Sequence, residues 1–258
     1  MSLLSIGLKK IQKYYSKEQS ELRRLVNIPR YTECETNLLE GITLADSLSF
    51  VAGYEEIFKR ENYKANFSTN EPFIIDCGSN IGLSIIYFKT QYPKAKIIGF
   101  EPDPKIFTIL KKNTSKFQDI ILYNKAVSKE KGKLSFVSEG GFSGRLNNEA
   151  AGENVIEVDT EPLSPYIDRK IDLLKIDIEG AELEVLQEIQ PNLKMVDKLF
   201  IEYHSINNKE QELDLLLSIL KKEKYRLHIK EAYTATHPFI EIPAMAGMDN
   251  QLEIYANR

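Results

Sequence analysis

The sequence predicts an α/β protein with a mostly parallel sheet and an N-terminal helical extension. From Pro72 onward, short apolar runs alternate with segments whose apolar residues recur at helical spacing. This is the pattern of strands joined by crossover helices. Small residues follow the first apolar run, and acidic residues follow several of the others. We expect residues 1–70 to form the extension and residues 71–258 to form the sheet domain.

The predicted elements follow in order, without an internal repeat or a low-complexity tract. In the extension, apolar residues at helical spacing predict helices over 9–25 and 45–63, and Pro29 ends the first. In the domain, apolar runs predict strands and apolar periodicity predicts helices. The strands are 73–77, 96–100, 120–123, 133–137, 155–159, 171–176, 198–203, 225–229 and 252–255, and the helices are 83–90, 105–113, 181–189 and 209–222.

Composition narrows the class of protein. The 258 residues are 42% hydrophobic and carry a net charge of −4, so no global basic field gathers nucleic acid and no nucleic-acid partner is expected. Two cysteines, Cys34 and Cys77, cannot build a disulfide framework, which favours a reduced, cytoplasmic protein. No apolar run approaches a membrane span. At the N-terminus the apolar patch precedes the lysines, an order that argues against a signal peptide.

The stretch FIIDCGSNIG, residues 73–82, predicts a cofactor cradle. A buried strand ends at Asp76, and Gly78, Asn80 and Gly82 form a small-residue turn before a helix, which lets the backbone approach a ligand. A dinucleotide fold would show G-x-G-x-x-G. A carboxylate two residues before the first glycine would repel a pyrophosphate, so the spacing favours a cationic sulfonium nucleoside. Asp76 is expected to order the turn by accepting backbone N–H bonds.

Polar residues follow the other predicted strands as well. Ligands bind outside the carboxyl ends of strands in open α/β sheets, and these ends carry Glu101, Asp177, Glu179, Glu202 and His204. An acid in this place can also be an ordinary helix N-cap. Glu101 precedes Pro102, lies about 20 residues beyond the cradle, and can accept two hydrogen bonds from vicinal ribose hydroxyls.

Five motifs in order carry a family resemblance over residues 52–205. The runs DCGSNIGLS, IIGFEPDP, NKAVS, LLKIDIEGAELEVL and IEYHS resemble the FkbM family of S-adenosylmethionine-dependent methyltransferases. The resemblance implies a class I methyltransferase Rossmann-like fold, in which the sheet is mostly parallel and the last strand antiparallel, with S-adenosyl-L-methionine as cofactor. One departure is the segment TEPLSP, residues 160–165, where the family usually shows a Leu-Asp-rich segment.

The resemblance also implies roles for particular residues. The glycine turn would line the cofactor, Glu101 would hold the ribose, two residues after it would lie beside the adenosine, and the NKAVS segment would approach the adenine. The implied cofactor residues are Asp76, Gly78, Ser79, Asn80, Gly82, Glu101, Pro102, Asp103, Ala126, Val127 and Asp177. Asp177, Glu179 and Gly180 would lie near the transferred methyl group.

An alcohol acceptor needs a base near the methyl group, and Asp177, Glu179 and His204 are the candidates. At most one of Asp177 and Glu179 faces the pocket if strand geometry persists, whereas a turn would bring in both. They could instead ligate a divalent metal. Without a clear third ligand, the sequence predicts no metal. His204 could alternatively be a hydrogen-bonded residue of the pocket wall, and His228 and His237 are interpreted as surface residues.

The leading functional hypothesis is an O-methyltransferase that acts on a hydroxyl of a sugar or polyketide-type product, a substrate class implied by the resemblance. The alternatives are an RNA or protein methyltransferase, a non-catalytic nucleoside-binding module and an NAD-dependent oxidoreductase. The glycine-rich loop within residues 138–154 could be a lid, with Arg145 on an anionic group. The N-terminal helices could cover the site or form a homodimer contact.

Overall fold

The computed structural model describes residues 17–137, 145–146, 155–245 and 247–258. The predicted lid and the start of the first predicted helix therefore lie largely outside the described residues, as does the side chain of Arg145. Within the described parts, no helix is long and apolar enough to cross a membrane.

A seven-stranded sheet forms the centre of the molecule, in the order β12-β13-β11-β10-β3-β4-β5. All pairings from β11 to β5 are parallel, and β13 runs antiparallel to both of its neighbours. The predicted mostly parallel sheet with an antiparallel last strand is therefore confirmed. The strands are β3 Phe73–Cys77, β4 Lys96–Phe100, β5 Ile120–Tyr123, β10 Leu173–Ile176, β11 Lys198–Ile206, β12 Arg226–Tyr233 and β13 Met248–Asn257.

Helices cover the sheet, and smaller strand groups border it. A four-stranded sheet has the order β6-β9-β7-β8, and a separate hairpin pairs β1 with β2. These strands are β1 Cys34–Thr36, β2 Ile42–Leu44, β6 Ala126–Val127, β7 Gly132–Val137, β8 Arg145–Leu146 and β9 Val155–Glu161. The helices are α1 (residues 17–26), α2 Ser47–Tyr54, α3 Leu83–Gln91, α4 Pro104–Thr114, α5 Glu182–Glu188 and α6 Leu213–Lys222, with a π-helical turn at Glu55–Lys59 and 3₁₀ turns at Ser164–Tyr166 and Gln190–Met195.

Alternate residues of the central strands build two cores. Ile74 packs in one cluster of buried side chains, whereas Ile75 packs in the other, on the opposite face of the sheet. This follows from the two-residue period of a strand. The near-continuous apolar sequence of β3, which is buried on both faces, is typical of parallel strands. Rigid central strands thereby position the loops at their carboxyl ends.

The segment before the sheet is less helical than expected. Its described part contains α1, α2 and the π-helical turn, but the hairpin β1–β2 was not predicted because three-residue strands are too short to show a period. Leu25, Ile42 and Phe50 of this segment share a core with Ile74. A domain boundary near residue 70 stays a prediction.

One buried side chain fastens this segment to the sheet domain. The Asn113 amide in α4 accepts a hydrogen bond from the Thr43 backbone N–H at 2.8 Å. It donates to the carbonyl oxygens of Thr43 and Ile81, each at 2.9 Å. Asn113 is 2% exposed, and because its bonds reach 70 positions back to Thr43 and 32 positions back to Ile81, they fix β2 against the turn after β3.

Candidate active site

A cavity of about 610 Å³ opens at the carboxyl ends of the central strands. This volume lies within the usual range for small-molecule sites. Of the predicted site residues, it is lined by Gly78, Ser79, Asn80, Glu101, Pro102, Asp103, Ala126, Val127, Asp177, Glu179 and His204. Asp76, Gly82 and Gly180 are predicted site residues that do not line it. The strand ends therefore bring the predicted cofactor and catalytic residues into one space.

The turn after β3 is held by backbone contacts to the neighbouring strand. Gly78 and Ser79 donate their N–H groups to the Phe100 carbonyl at 3.1 and 2.8 Å. Gly78 has φ +84°, and a Cβ there would lie 1.9 Å from the Asp177 carbonyl oxygen. No side chain fits at this position. Only glycine therefore allows β3 and β10 to end so close together.

Glu101 closes the same turn from the end of β4. Its Oε2 accepts the Asn80 N–H at 2.9 Å, and its Oε1 accepts the Asp103 N–H at 2.9 Å. Glu101 is only 5% exposed, and burial raises the pKa of its carboxyl to about 8. Each oxygen makes one bond to the backbone, and a carboxylate oxygen has a second acceptor site. The carboxylate that lines the cavity thus fits a ligand with paired hydroxyl donors.

The residues around Glu101 complete this wall. Asp103 caps α4 by accepting the N–H groups of Lys105 and Ile106 at 2.8 and 3.3 Å. Its carboxylate therefore has a structural task that the resemblance did not imply. Ala126 and Val127 are buried in β6 and form an apolar part of the lining, a surface suited to the flat face of an aromatic base.

Asp76 does not order the turn as predicted. Its carboxylate is fully buried and accepts a hydrogen bond from Ser84 Oγ at 2.5 Å. It also lies 3.1 Å from Lys175 Nζ. The turn is ordered instead by the Phe100 carbonyl and Glu101, so Asp76 acts behind the cavity wall. Gly82, at φ +95°, likewise serves packing, because a Cβ there would approach Leu110 of α4 to 2.9 Å.

Lys175 is a site residue that sequence reasoning missed. It lies in β10, is 2% exposed and lines the cavity. Its ammonium donates to the Gly78 carbonyl at 2.9 Å and lies 3.2 Å from Asp177 Oδ2. Burial lowers its pKa, but the carboxylates of Asp177 and Asp76 outweigh burial, so the pKa lies well above the usual value. The sequence signal that could have identified Lys175 as a buried, functional residue was its place inside the apolar run LLKI.

Asp177, Glu179 and His204 converge at the ends of β10 and β11. Strand β10 ends at Ile176, and Glu179 has φ +58°, so the chain turns and both acids line the cavity, which was the second of the two alternatives. His204 Nε2 lies 3.6 Å from Glu179 Oε2 and 3.9 Å from Asp177 Oδ1. The three residues predicted to manage the proton are therefore neighbours in space.

Glu182, at the start of α5, holds the histidine. Its Oε1 lies 2.9 Å from His204 Nδ1. Burial lowers the pKa of His204, but Glu182 and the other carboxylates outweigh burial and hold the pKa well above its usual value. Glu182 escaped sequence reasoning because its contact with His204 spans two elements. Glu182 thereby fixes the ring in the pocket wall, and a role for His204 as the base stays a prediction.

Two further acids line the same side of the cavity. Glu202 Oε1 lies 3.6 Å from His204 Nε2, and burial together with Asp177 raises its pKa. Glu56, from the π-helical turn, has a pKa raised to about 7 by burial and by Glu202. The mouth is formed partly by the N-terminal segment, where Arg30 stacks on the Tyr31 ring at 4.8 Å. Acidic groups therefore concentrate near the acceptor side.

One family model and several named methyltransferases match this chain. The family described as "Methyltransferase FkbM domain" matches residues 76–227, more than half of the chain. The chain is 32% identical over 205 residues to "Methyltransferase sdnD" from Sordaria araneosa, covering 64% of this chain and 78% of that protein.

Two further relatives have more specific names. "2-O-methyltransferase NoeI" from Sinorhizobium fredii is 25% identical, with 56% of this chain and 68% of that protein covered. "Hexuronic acid methyltransferase AglP" from Haloferax volcanii is 28% identical, with 50% of this chain and 55% of that protein covered.

A solved structure supports the fold. The crystal structure of "Methyltransferase FkbM" from Methylobacillus flagellatus KT aligns with a TM-score of 0.51 at 18% identity. The alignment covers 78% of this chain and 48% of that chain, so this chain spans about half the length of that protein. Sheet order, cavity and family match together show that this chain belongs to the FkbM methyltransferase family and is an S-adenosylmethionine-dependent enzyme.

Proposed function

We propose that this enzyme transfers the methyl group of S-adenosylmethionine to a hydroxyl of a small molecule or saccharide. The observation that carries the proposal is one cavity that contains both the Glu101 turn and the Asp177, Glu179 and His204 cluster. Methyl transfer to a weakly acidic hydroxyl needs a fixed electrophile and a nearby proton acceptor. The two ends of the cavity fit these two needs.

The Glu101 end fits the cofactor. The bound cofactor supplies an activated methyl group on a positively charged sulfur. Glu101 has acceptor sites for the ribose hydroxyls, and Ala126 and Val127 offer an apolar surface for adenine. The carboxylates of Asp177 and Glu179 provide a favourable field for a cationic centre.

The acidic end fits the acceptor hydroxyl. The proton acceptor is assigned to Asp177 or Glu179, whose carboxylates line the cavity beside His204. Burial raises the pKa of Glu179, and a carboxylate of raised pKa is a stronger base. The His204 ring is fixed by Glu182 at 2.9 Å and lies beside this carboxylate, with Nε2 3.6 Å from Glu179 Oε2.

The acceptor class is supported by the mouth and by the relatives. Tyr31 is 49% exposed at the mouth, and an aromatic face of this kind suits stacking on a sugar ring. The relatives named "2-O-methyltransferase" and "Hexuronic acid methyltransferase" favour an oxygen of a saccharide. Six acidic residues line the cavity, an arrangement that disfavours a nucleic-acid backbone: Glu56, Glu101, Asp103, Asp177, Glu179 and Glu202. A cytoplasmic location and a homodimer remain predictions.

The test uses S-adenosylmethionine with a labelled methyl group and a panel of acceptors. We expect label in glycosides and polyketide-type alcohols that carry a free hydroxyl, as a methyl ether that resists alkaline hydrolysis. Matched acceptors in which that hydroxyl is replaced by hydrogen should take up no label. Label found only in RNA, only in protein, or as an alkali-labile ester would contradict the proposal. Calorimetry with NAD, which should show no binding, checks cofactor choice.

A further inference from the structure

We propose that Asp177, Glu179 and His204 bind a divalent cation of the Mg²⁺ or Mn²⁺ class. One ligand atom from each residue can be chosen so that all lie within 4.8 Å of one another. Ligands on opposite sides of such an ion are roughly 4.2 Å apart, since metal–oxygen bonds are about 2.1 Å. Small side-chain movements would therefore bring all three to bonding distance.

The histidine is arranged as a metal ligand. Its side chain is 2% exposed, and Nδ1 is engaged by Glu182 at 2.9 Å. Nε2 has three carboxylate oxygens around it, and all lie at 3.6–3.9 Å, beyond hydrogen-bond distance. A carboxylate on the far nitrogen of the ring is the usual partner of a metal-bound histidine, because it fixes the tautomer and aims the other nitrogen. The space in front of Nε2 is therefore bordered by atoms that can ligate a metal but lie too far from Nε2 to hydrogen-bond with it.

Glu179 supplies a second independent sign. Its Oε2 is buried and makes no hydrogen bond to any residue that the structure describes, although a buried carboxylate oxygen is normally bonded. This oxygen is the one that lies 3.6 Å from His204 Nε2. The arrangement of Asp177 is compatible with a metal ligand. Its Oδ2 pairs with Lys175, which leaves Oδ1 facing His204. Each of the three residues therefore has one atom directed to the same point.

The surrounding charges favour a cation. Glu182 and Glu202 also face His204, and the Lys175 ammonium is shared between Asp177 and Asp76. Oxygen donors with one imidazole suit Mg²⁺ and Mn²⁺ better than thiophilic metals. The three ligands leave coordination positions open, and all three line the cavity.

The cation would hold the acceptor. This inference rests on the proposed function, since an open coordination position can take the acceptor hydroxyl and lower its pKa. A vicinal diol could fill two positions and fix which hydroxyl reacts. The prediction that the site holds no metal rested on the lack of a third ligand, and the structure supplies His204 as that ligand.

Mn²⁺ titration of the purified chain tests the site. We expect one Mn²⁺ per chain by electron paramagnetic resonance, displaced by excess Mg²⁺. Glu179→Gln and His204→Gln should each weaken binding at least about 10-fold, whereas Glu210→Gln and His237→Gln, at exposed positions, should not. No stoichiometric binding by the wild type, or equal binding by all variants, would overturn the proposal.

A second measurement needs no variant. The chain has three histidines, so their imidazole NMR signals are easily separated. Substoichiometric Mn²⁺ should broaden the buried His204 signal first. Broadening that begins at His228 or His237 would overturn the proposal. If labelled methyl transfer persists in chelator and Mn²⁺ does not bind, the metal site fails while the proposed function stands. If Mn²⁺ binds at His204 but no hydroxyl compound is methylated, the proposed function fails.

Discussion

The two ends of the cavity stabilise buried acids in different ways. At the end of β4, Glu101 is bonded by backbone N–H groups of Asn80 and Asp103. At the ends of β10 and β11, Glu179 and Glu202 face His204, which is itself held by another side chain. Backbone donors are fixed by the fold, whereas side-chain charges can change protonation or ligation. We infer that the first end is built for binding and the second for chemistry.

Asp177→Asn and Glu179→Gln test this division most strongly. Each variant should slow methyl transfer about 10²–10⁴-fold, because a proton acceptor is lost. Affinity for S-adenosylmethionine should remain within about threefold, measured by calorimetry. Glu210→Gln, at an exposed position, is the matched control and should leave both values unchanged. Normal turnover in both variants would remove the acidic end from the mechanism.

Glu101→Gln should have the opposite profile. The amide replaces one acceptor oxygen with an NH₂ donor, which should weaken S-adenosylmethionine binding by about 1–3 kcal/mol, or about 5- to 150-fold in Kd. Asp172→Asn is a matched control, because Asp172 is a buried carboxylate that accepts the Phe73 N–H at 2.8 Å but does not line the cavity. Unchanged affinity in Glu101→Gln, or an equal loss in Asp172→Asn, would contradict the ribose role.

The smallest expected effect concerns pH and stability. The pKa of Glu101 is raised to about 8, so its contribution is complete below about pH 4.5 and is lost as pH rises through 8. His204, whose pKa is also raised, acts in the same direction. The melting temperature should therefore fall by roughly 2–6 °C between pH 6.5 and 9. Glu101→Gln should reduce this slope in a thermal-shift series; a slope parallel to that of the wild type would contradict the assignment.

Much of the fold could be predicted because its signals are local. The bounds of β3, β4 and β5 match the prediction, since each is an apolar run between turn residues or prolines. Helix α6 begins at Leu213 rather than at 209, because the polar residues 209–212 fit a helix or a loop equally well. Strand β12 extends to Tyr233, beyond the predicted 229, since its side chains are mostly exposed and carry no apolar period.

The site was predictable only where residues were near in sequence. Motif spacing identified Gly78, Glu101 and Asp177, and the cavity contains all three. The contact of Glu182 with His204 spans 22 positions, and the role of Lys175 depends on acids from two strands. Such contacts depend on the order of the strands in the sheet and on how the connecting turns run. Neither can be predicted from a single segment of sequence.

The Asn113 amide couples two parts of the chain that could otherwise vary separately. It fastens β2 to the turn that precedes α3, and the segment containing β2 also contributes Arg30 and Tyr31 to the rim of the cavity. The segment that carries these two rim residues is thus hydrogen-bonded to the turn that lines the proposed cofactor site. If this segment were exchanged between relatives, we expect acceptor preference to be transferred with it only if the Asn113 amide and its partners Thr43 and Ile81 were exchanged as well.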